Sequence, residues 1–234
     1  GVINDRWMAN RPLFEKMRIA EARAALDARI AERWAAGEGN LMPDSRFGDF
    51  RTSEYSDELD FGDRDWEACR GMDLSFGFNA EARVEDYLTP ADLIRSFADI
   101  VAHGGNLLLN VGPRADGSIP DVQQSLLRTL GAWLKTNGAA IYGARRVAVP
   151  KGVASDGTPY RITDTGDALH IIFMDAPRTG SLALPGLSGA TRATRHDGGH
   201  VALEPSNGVA LKLGAFGDAP VHVVTLEGAS LGKP

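Results

Sequence analysis

The stretch Arg46–Tyr55, which reads R-F-G-D-F-R-T-S-E-Y, contains the residue best suited to chemistry, Glu54. The stretch is polar, aromatic and glycine-bearing, and it lies between a long helical segment and an apolar, strand-like one. A carboxylate beside aromatic side chains, on a loop above a sheet, suits general acid catalysis because apolar walls favour the protonated form. A glutamate in a charged loop is more often a solvated surface residue. Glu54 is therefore a candidate that needs support from the rest of the chain.

Asp5 and Arg6 form a second candidate because they follow the start of an apolar, strand-like segment. Parallel α/β sheets present functional residues at the carboxyl ends of their strands. An ordinary surface ion pair explains the same two residues equally well. Phe76 and Phe78 would share one face of a regular strand, which favours core packing. Glu67 is either a second carboxylate of interest or a loop anchor.

No residue pattern predicts a metal ion or a cofactor. Asp116 invites a calcium interpretation, but the spaced oxygen ligands of a calcium loop are missing, and a turn is favoured. The single cysteine, Cys69, cannot form a zinc cluster alone. The histidines considered as metal ligands lie on different strands and turns without metal-ligand spacing: His170, His196, His200 and His222.

Composition bounds the class of protein. The chain has 234 residues, 43% hydrophobic and 24% charged, which is ordinary for a globular protein with a sizeable core. A net charge of -6 argues against nucleic acid as a partner. No apolar run approaches the roughly 20 residues that span a bilayer. The opening G-V-I-N-D-R-W looks like the middle of a strand, so we expect a piece of a longer protein; compartment and oligomeric state stay open.

The first part of the chain has the periodicity of an α/β fold. An amphipathic helix is predicted over Leu13–Ala36. A strand at Leu74–Phe78, a helix capped by Thr89 and a strand at Asn106–Val111, buried on both faces, form a βαβ unit. A further helix is predicted over about Asp121–Lys135.

From about Val147 onward the hydrophobic period changes to two, and turn signals separate short apolar runs. This pattern predicts an antiparallel β-sandwich. The predicted strands are Tyr160–Thr163, Leu169–Met174, Ser181–Leu184, Thr191–Arg195, His200–Leu203, Val209–Leu213 and Val221–Leu226.

Several stretches, in a consistent order over most of residues 1–145, resemble the α-L-fucosidases of glycoside hydrolase family 29. The most specific is G-G-N-L-L-L-N-V-G-P at 104–113. The others are I-N-D-R-W at 3–7, G-D-F-R-T-S-E-Y at 48–55, W-E at 66–67 with S-F-G-F-N at 75–79, D-G-S-I-P at 116–120 and N-G-A-A-I-Y-G at 137–143.

The resemblance implies an α/β plus all-β chain: the carboxyl-terminal portion of a TIM-like (β/α) barrel over residues 1–146 and a β-sandwich over 147–234. It implies release of terminal α-L-fucose from a fucosylated oligosaccharide or glycoconjugate, with retention. Glu54 matches the acid/base, Arg6 an arginine that contacts the sugar, and Phe76 an aromatic against the fucose methyl group. The family's nucleophilic aspartate and its sugar-binding histidines lie upstream of the N-D-R-W stretch, so this chain alone is expected to be inactive. A periplasmic or extracellular location is compatible with the family.

Two alternatives stay open at this stage. The first is another retaining glycosidase specificity on the same scaffold, such as galactose. The second is a non-catalytic carbohydrate-binding or structural module built on the β-sandwich.

Overall fold

The computed structural model describes residues 19–35, 49–55 and 64–232. By its contacts the chain divides into two compact units. The smaller contains Gly1–Thr52 and Asp63–Asp65, and the larger contains Ser53–Gly62 and Trp66–Pro234. Arg6 and Asp5 lie outside the described residues.

In the smaller unit, helix α1 spans Ala20–Ala35. It lies inside the helix predicted over Leu13–Ala36, whose first residues and last residue are outside the described part of the chain. Those of its side chains that the structure describes are exposed.

Three strands form the sheet that precedes the antiparallel part of the chain: β1 (Arg51–Glu54), β2 (Trp66–Arg70) and β3 (Gly105–Leu109), in the order β1-β2-β3. Strands β2 and β3 are parallel, with Trp66 opposite Gly105. Helix α2 (Pro90–Ala102) connects them, and the Thr89 side chain accepts a hydrogen bond from the Asp92 N–H at 3.1 Å. The predicted βαβ unit is therefore present.

Two details of that prediction are wrong. The first strand is β2, and no strand forms at Leu74–Phe78. There Asp73 Oδ1 accepts the Ser75 N–H at 3.0 Å, and local side-chain bonds of this kind compete with a strand ladder. Strand β3 is not buried on both faces either: Leu108 is 52% exposed, because the described residues cover only the other face.

Helix α3 spans Asp121–Asn137, two residues longer than predicted. Short 3-10 turns lie at Val84–Asp86 and Gly138–Ala140. Among the described residues, no helix combines the length and apolar character needed to cross a bilayer.

The remaining strands are antiparallel and include all those predicted. They form a sheet in the order β4-β5-β6-β12-β9, a second in the order β10-β11-β7, and the pair β13-β8. Their bounds are β4 Lys151–Val153, β5 Pro159–Asp164, β6 Ala168–Phe173, β7 Ser181–Leu184, β8 Leu187–Ser188, β9 Arg192–Arg195, β10 Val201–Glu204, β11 Val209–Leu213, β12 His222–Glu227 and β13 Ser230–Leu231.

The five-stranded sheet is covered on both faces at its centre. Ile171 and Val224 belong to a core shared with β7 and β11. Ile172 and Val223 point the other way, because side chains alternate along a strand, and belong to a core shared with α2 and α3. This second core includes Trp133, whose Nε1–H donates to the Val221 carbonyl at 3.2 Å.

Candidate active site

Glu54 is the last residue of β1, and its side chain is exposed. The preceding residue, Ser53, is only 2% exposed, as expected when successive side chains of a strand point to opposite faces. The prediction of a loop around Glu54 is wrong in this respect, because Arg51–Glu54 pairs with β2 as a strand. Glu54 ends that strand with its side chain exposed, outside the core.

Tyr55 follows Glu54 with φ of 47°, in the left-handed region. Its hydroxyl accepts a hydrogen bond from the Gly71 N–H at 2.8 Å, and its ring packs edge-to-face on Phe76, with centroids 5.0 Å apart. The Arg70 guanidinium carbon lies 5.7 Å from the Tyr55 ring centroid. Tyr55 therefore connects the end of β1 to the residues that follow β2.

Phe76 lies on the loop that replaces the predicted strand, and it is 37% exposed. The Ser75 hydroxyl donates to the Gly77 carbonyl at 3.0 Å. Asn110, directly after β3, donates its side-chain N–H to the Phe76 carbonyl. The loop is thus fixed from within and from the end of β3, with its aromatic ring left outside the cores.

Gly112 packs against the backbone of the same loop. A Cβ on Gly112 would lie 2.7 Å from the Phe78 nitrogen, so the two backbones approach closely at a position that only glycine allows. The Gly112 N–H donates to the buried Gln123 Oε1 at 3.0 Å. Helix α3, which carries Gln123, therefore contributes to the position of the loop.

The turn at Asp116 forms as predicted. Its Oδ1 accepts hydrogen bonds from the Ser118 N–H at 2.9 Å and from the Ser118 hydroxyl at 2.7 Å, and these bonds lower the pKa of the Asp116 carboxyl. The nearby Arg114 guanidinium lies 5.9 Å from the Phe78 ring centroid. Asp116 thus stabilises the loop.

The structure brings Glu54 and Phe76 to one edge of the sheet, and Arg6 lies outside the residues that it describes. Glu67 is half-buried within β2. A cavity of about 400 Å³ lies beside Tyr55, Cys69 and helix α2, but neither Glu54 nor Phe76 lines it. We therefore place the candidate site at the strand ends rather than in this cavity.

Sequence reasoning assigned no role to Tyr55 or Asn110, although both belong to the resembling stretches. Asn110 directly follows an apolar run, and a polar residue at such a strand end is a pattern that predicts a functional position. The left-handed backbone of Tyr55 had no such signal, since tyrosine does not favour that conformation.

Two of the four histidines of the antiparallel part, His170 and His196, belong to one hydrogen-bonded group. Thr225 Oγ1 lies 2.8 Å from His170 Nδ1 and 2.7 Å from His196 Nε2, and Thr165 Oγ1 lies 2.9 Å from His170 Nε2. Burial, with a contribution from His196, lowers the pKa of His170 to about 4, against the opposing effect of Asp164. Within the described ranges, no group of three or more His, Cys, Asp or Glu side chains could hold a metal ion.

Comparisons with known proteins converge on one family. The alpha-L-fucosidase family model matches residues 2–139, more than half of the chain. The chain is 39% identical over 120 residues to the alpha-L-fucosidase of Branchiostoma floridae and 38% identical over 120 residues to the plasma alpha-L-fucosidase of Homo sapiens. Each match covers 51% of this chain and 26% of the relative.

Among solved structures, the alpha-fucosidase of Thermotoga maritima in complex with fucose is similar, with a TM-score of 0.65 and 28% identity. The match covers 88% of this chain and 50% of that one. The chain thus spans about half the length of that structure, and its matched segment about a quarter of each curated relative. On the extent of the family match, the chain belongs to the alpha-L-fucosidase family.

Proposed function

We propose that this chain forms the carboxyl-terminal part of a retaining α-L-fucosidase in which Glu54 is the acid/base. In this proposal residues 1–146 complete a (β/α) barrel and residues 147–234 form a β-sandwich. Family membership supports the activity, and the strand, helix, strand order from β2 to β3 supports the barrel.

The proposed reaction has two steps. A nucleophilic aspartate, supplied by a part of the protein outside this chain, attacks the anomeric carbon while the Glu54 carboxylic acid donates its proton to the departing glycosidic oxygen. The Glu54 carboxylate then takes a proton from water, whose oxygen attacks the anomeric carbon and breaks the bond to the aspartate. Two inversions at that carbon give net retention.

Phe76 and Arg6 are the proposed substrate contacts. Phe76 exposes part of an aromatic face at the loop after β2, which suits the methyl group that a 6-deoxy sugar presents in place of a hydroxymethyl. Arg6 would donate hydrogen bonds to sugar oxygens. The proposed substrate is a fucosylated oligosaccharide or glycoconjugate.

The single observation that carries the proposal is the link between Glu54 and Phe76. The residue directly after Glu54 contacts the Phe76 ring, with 5.0 Å between centroids. This contact supports a site in which the proposed acid and the proposed methyl-binding ring act on one sugar.

The test is the leaving-group dependence of Glu54→Gln in the full-length protein. We expect kcat/KM for an alkyl α-L-fucoside, a poor leaving group, to fall by about 100-fold or more, because general acid catalysis contributes about that much. The leaving group of a dinitrophenyl fucoside needs little protonation, so the rate of its first step should fall much less. Azide should restore turnover and give fucosyl azide with the anomeric configuration of the substrate.

The matched control is Glu81→Gln, an exposed glutamate outside the site, which should leave both rates unchanged. Equal losses of Glu54→Gln on both fucosides would contradict the acid/base role. Preference for α-D-galactosides over fucosides would contradict the specificity. Turnover by residues 1–234 alone would show that the nucleophile lies within this chain.

A further inference from the structure

We propose that Tyr55 is a positioning residue that holds the Glu54 carboxylate and the Phe76 ring in one fixed geometry. The inference rests on the proposed roles of Glu54 and Phe76. Neither the sequence patterns nor the relatives' names assign Tyr55 a role.

The backbone of Tyr55 is the first observation. Its φ is 47°, and within the described part of the chain it is the one non-glycine residue with a positive φ. Such a conformation costs about 1–3 kcal/mol and persists only where surrounding contacts over-determine it. The turn directly after Glu54 is therefore imposed by those contacts and not by local preference.

The Tyr55 hydroxyl makes the first of these contacts, with the N–H of Gly71 at 2.8 Å. Gly71 is buried, and a Cβ there would lie 2.7 Å from the Tyr55 hydroxyl oxygen and would also collide with the Ser75 carbonyl. The hydroxyl thus fits against bare backbone at a position where a side chain would displace it. This hydrogen bond joins the turn after β1 to the residue after β2.

The Tyr55 ring makes the second contact. It meets Phe76 at an interplanar angle of 60°, an edge-to-face arrangement, while the Arg70 guanidinium lies near its centroid. Its neighbours therefore come from the last residue of β2 and from the loop that carries Phe76.

The consequence is mechanical coupling. Glu54 and Tyr55 share a peptide bond, so a change in the Tyr55 backbone torsions shifts the Glu54 backbone. A displaced Tyr55 ring would also no longer contact Phe76. A displacement of about 1 Å at a reacting group is enough to cost about 100-fold in rate. Loss of the Tyr55 hydroxyl should therefore impair proton transfer more than it impairs folding.

The experiment uses Tyr55→Phe in the full-length protein, which keeps the ring and removes the hydrogen bond to Gly71. We expect kcat/KM for an alkyl fucoside to fall by about tenfold, and for a dinitrophenyl fucoside by about threefold or less. A second variant, Tyr55→Leu, should in addition raise the inhibition constant of free fucose severalfold, because Phe76 loses its support. Tyr142→Phe, at a tyrosine that is 68% exposed, is the matched control and should change neither substrate.

The outcomes separate the two proposals. If Glu54→Gln is selective for the poor leaving group while Tyr55→Phe lowers both rates equally or neither, Tyr55 has no positioning role and the assignment of Glu54 stands. If Glu54→Gln shows no selectivity, both proposals are wrong. If Tyr55 served folding alone, Tyr55→Phe would lower only the amount of active enzyme. The apparent kcat would then fall by the same factor for both substrates, and KM would not change.

Discussion

The guanidinium of Arg161, on β5, forms a bidentate pair with the carboxylate of Asp99, on α2, 62 residues earlier in the chain. His103 Nδ1 lies 3.2 Å from the same carboxylate. Burial alone would raise the pKa of Asp99, but the hydrogen bonds from His103 and Arg161 outweigh it and lower the pKa to about 2. One carboxylate thus ties helix α2 to the five-stranded sheet.

Asp99 predicts a loss of stability in acid. Because its pKa is lower in the folded than in the unfolded state, the stabilisation is present above pH about 3.8 and is lost as the pH falls through about 2. The free energy of unfolding should fall by about 2 kcal/mol over that interval from this group. Urea unfolding of Asp99→Asn should show the loss already at pH 7. The exposed Asp218→Asn is the control, and equal curves for the two variants would contradict the prediction.

His170 predicts a second, separate pH dependence. Its folded pKa of about 4 lies below the ordinary 6.5, so the unfolded state takes up its proton first as the pH falls. Stability should therefore be complete above pH about 6.5 and decline by about 3 kcal/mol towards pH 4. His170→Gln should flatten this part of the stability curve. The exposed His200→Gln should keep the wild-type slope, and an unchanged slope in His170→Gln would contradict the prediction.

Two glycines predict opposite effects of the same substitution. Gly112→Ala places a Cβ 2.7 Å from Gly77 and Phe78 backbone atoms, and should destabilise the protein by about 1–3 kcal/mol. Gly131→Ala, inside α3 with open space around its Cβ, should stabilise it by about 1 kcal/mol. Thermal unfolding of the two variants measures both. An unchanged or raised melting temperature of Gly112→Ala would contradict the close approach at Gly112, and a lowered one of Gly131→Ala would contradict the open space at Gly131.

Asn110 predicts an effect on substrate binding. Asn110→Ala removes the N–H that holds the Phe76 carbonyl, so the Phe76 loop should lose its fixed position. In the full-length protein we expect the KM for an aryl fucoside to rise about fivefold, with a smaller change in kcat, because uniform binding is lost. Asn207→Ala, on an exposed turn of the antiparallel part, is the control. A fall in kcat at unchanged KM would contradict this role.

The sequence predicts those elements whose signals are local. Thr89-Pro90 marks the start of α2, the apolar periodicity marks α3, and period two with turn residues marks the antiparallel strands. It misses β1, whose residues are interpreted as a loop. It also misses β2, because W-E-A-C-R lacks the β-branched residues typical of strands. It predicts a strand at Leu74–Phe78 because the competing hydrogen bonds of Asp73 and Ser75 are not visible as a hydrophobic pattern.

The candidate site likewise has a part that the sequence predicts and a part that it does not. The roles of Glu54 and Phe76 are predicted from the family's motifs, since residue type alone favours a surface glutamate and a core phenylalanine. The φ of Tyr55 and its hydrogen bond to Gly71 depend on groups 16 residues apart, and no spacing along the chain reveals them. Contacts of this kind, between residues distant in the chain, are the part of a site that cannot be predicted from patterns in a single sequence.

The two-sided burial of β6 and β12 has a consequence for truncation. Ile172 and Val223 share their core with Leu93 and Trp133 of the helices, so the helices and the sheet should melt in one transition. Cutting the chain at residue 146 would leave that apolar surface in water and produce an aggregating product instead of an independent half. The boundary proposed at residue 146 need not be a boundary in folding, and a deletion up to it would report on solubility rather than on function.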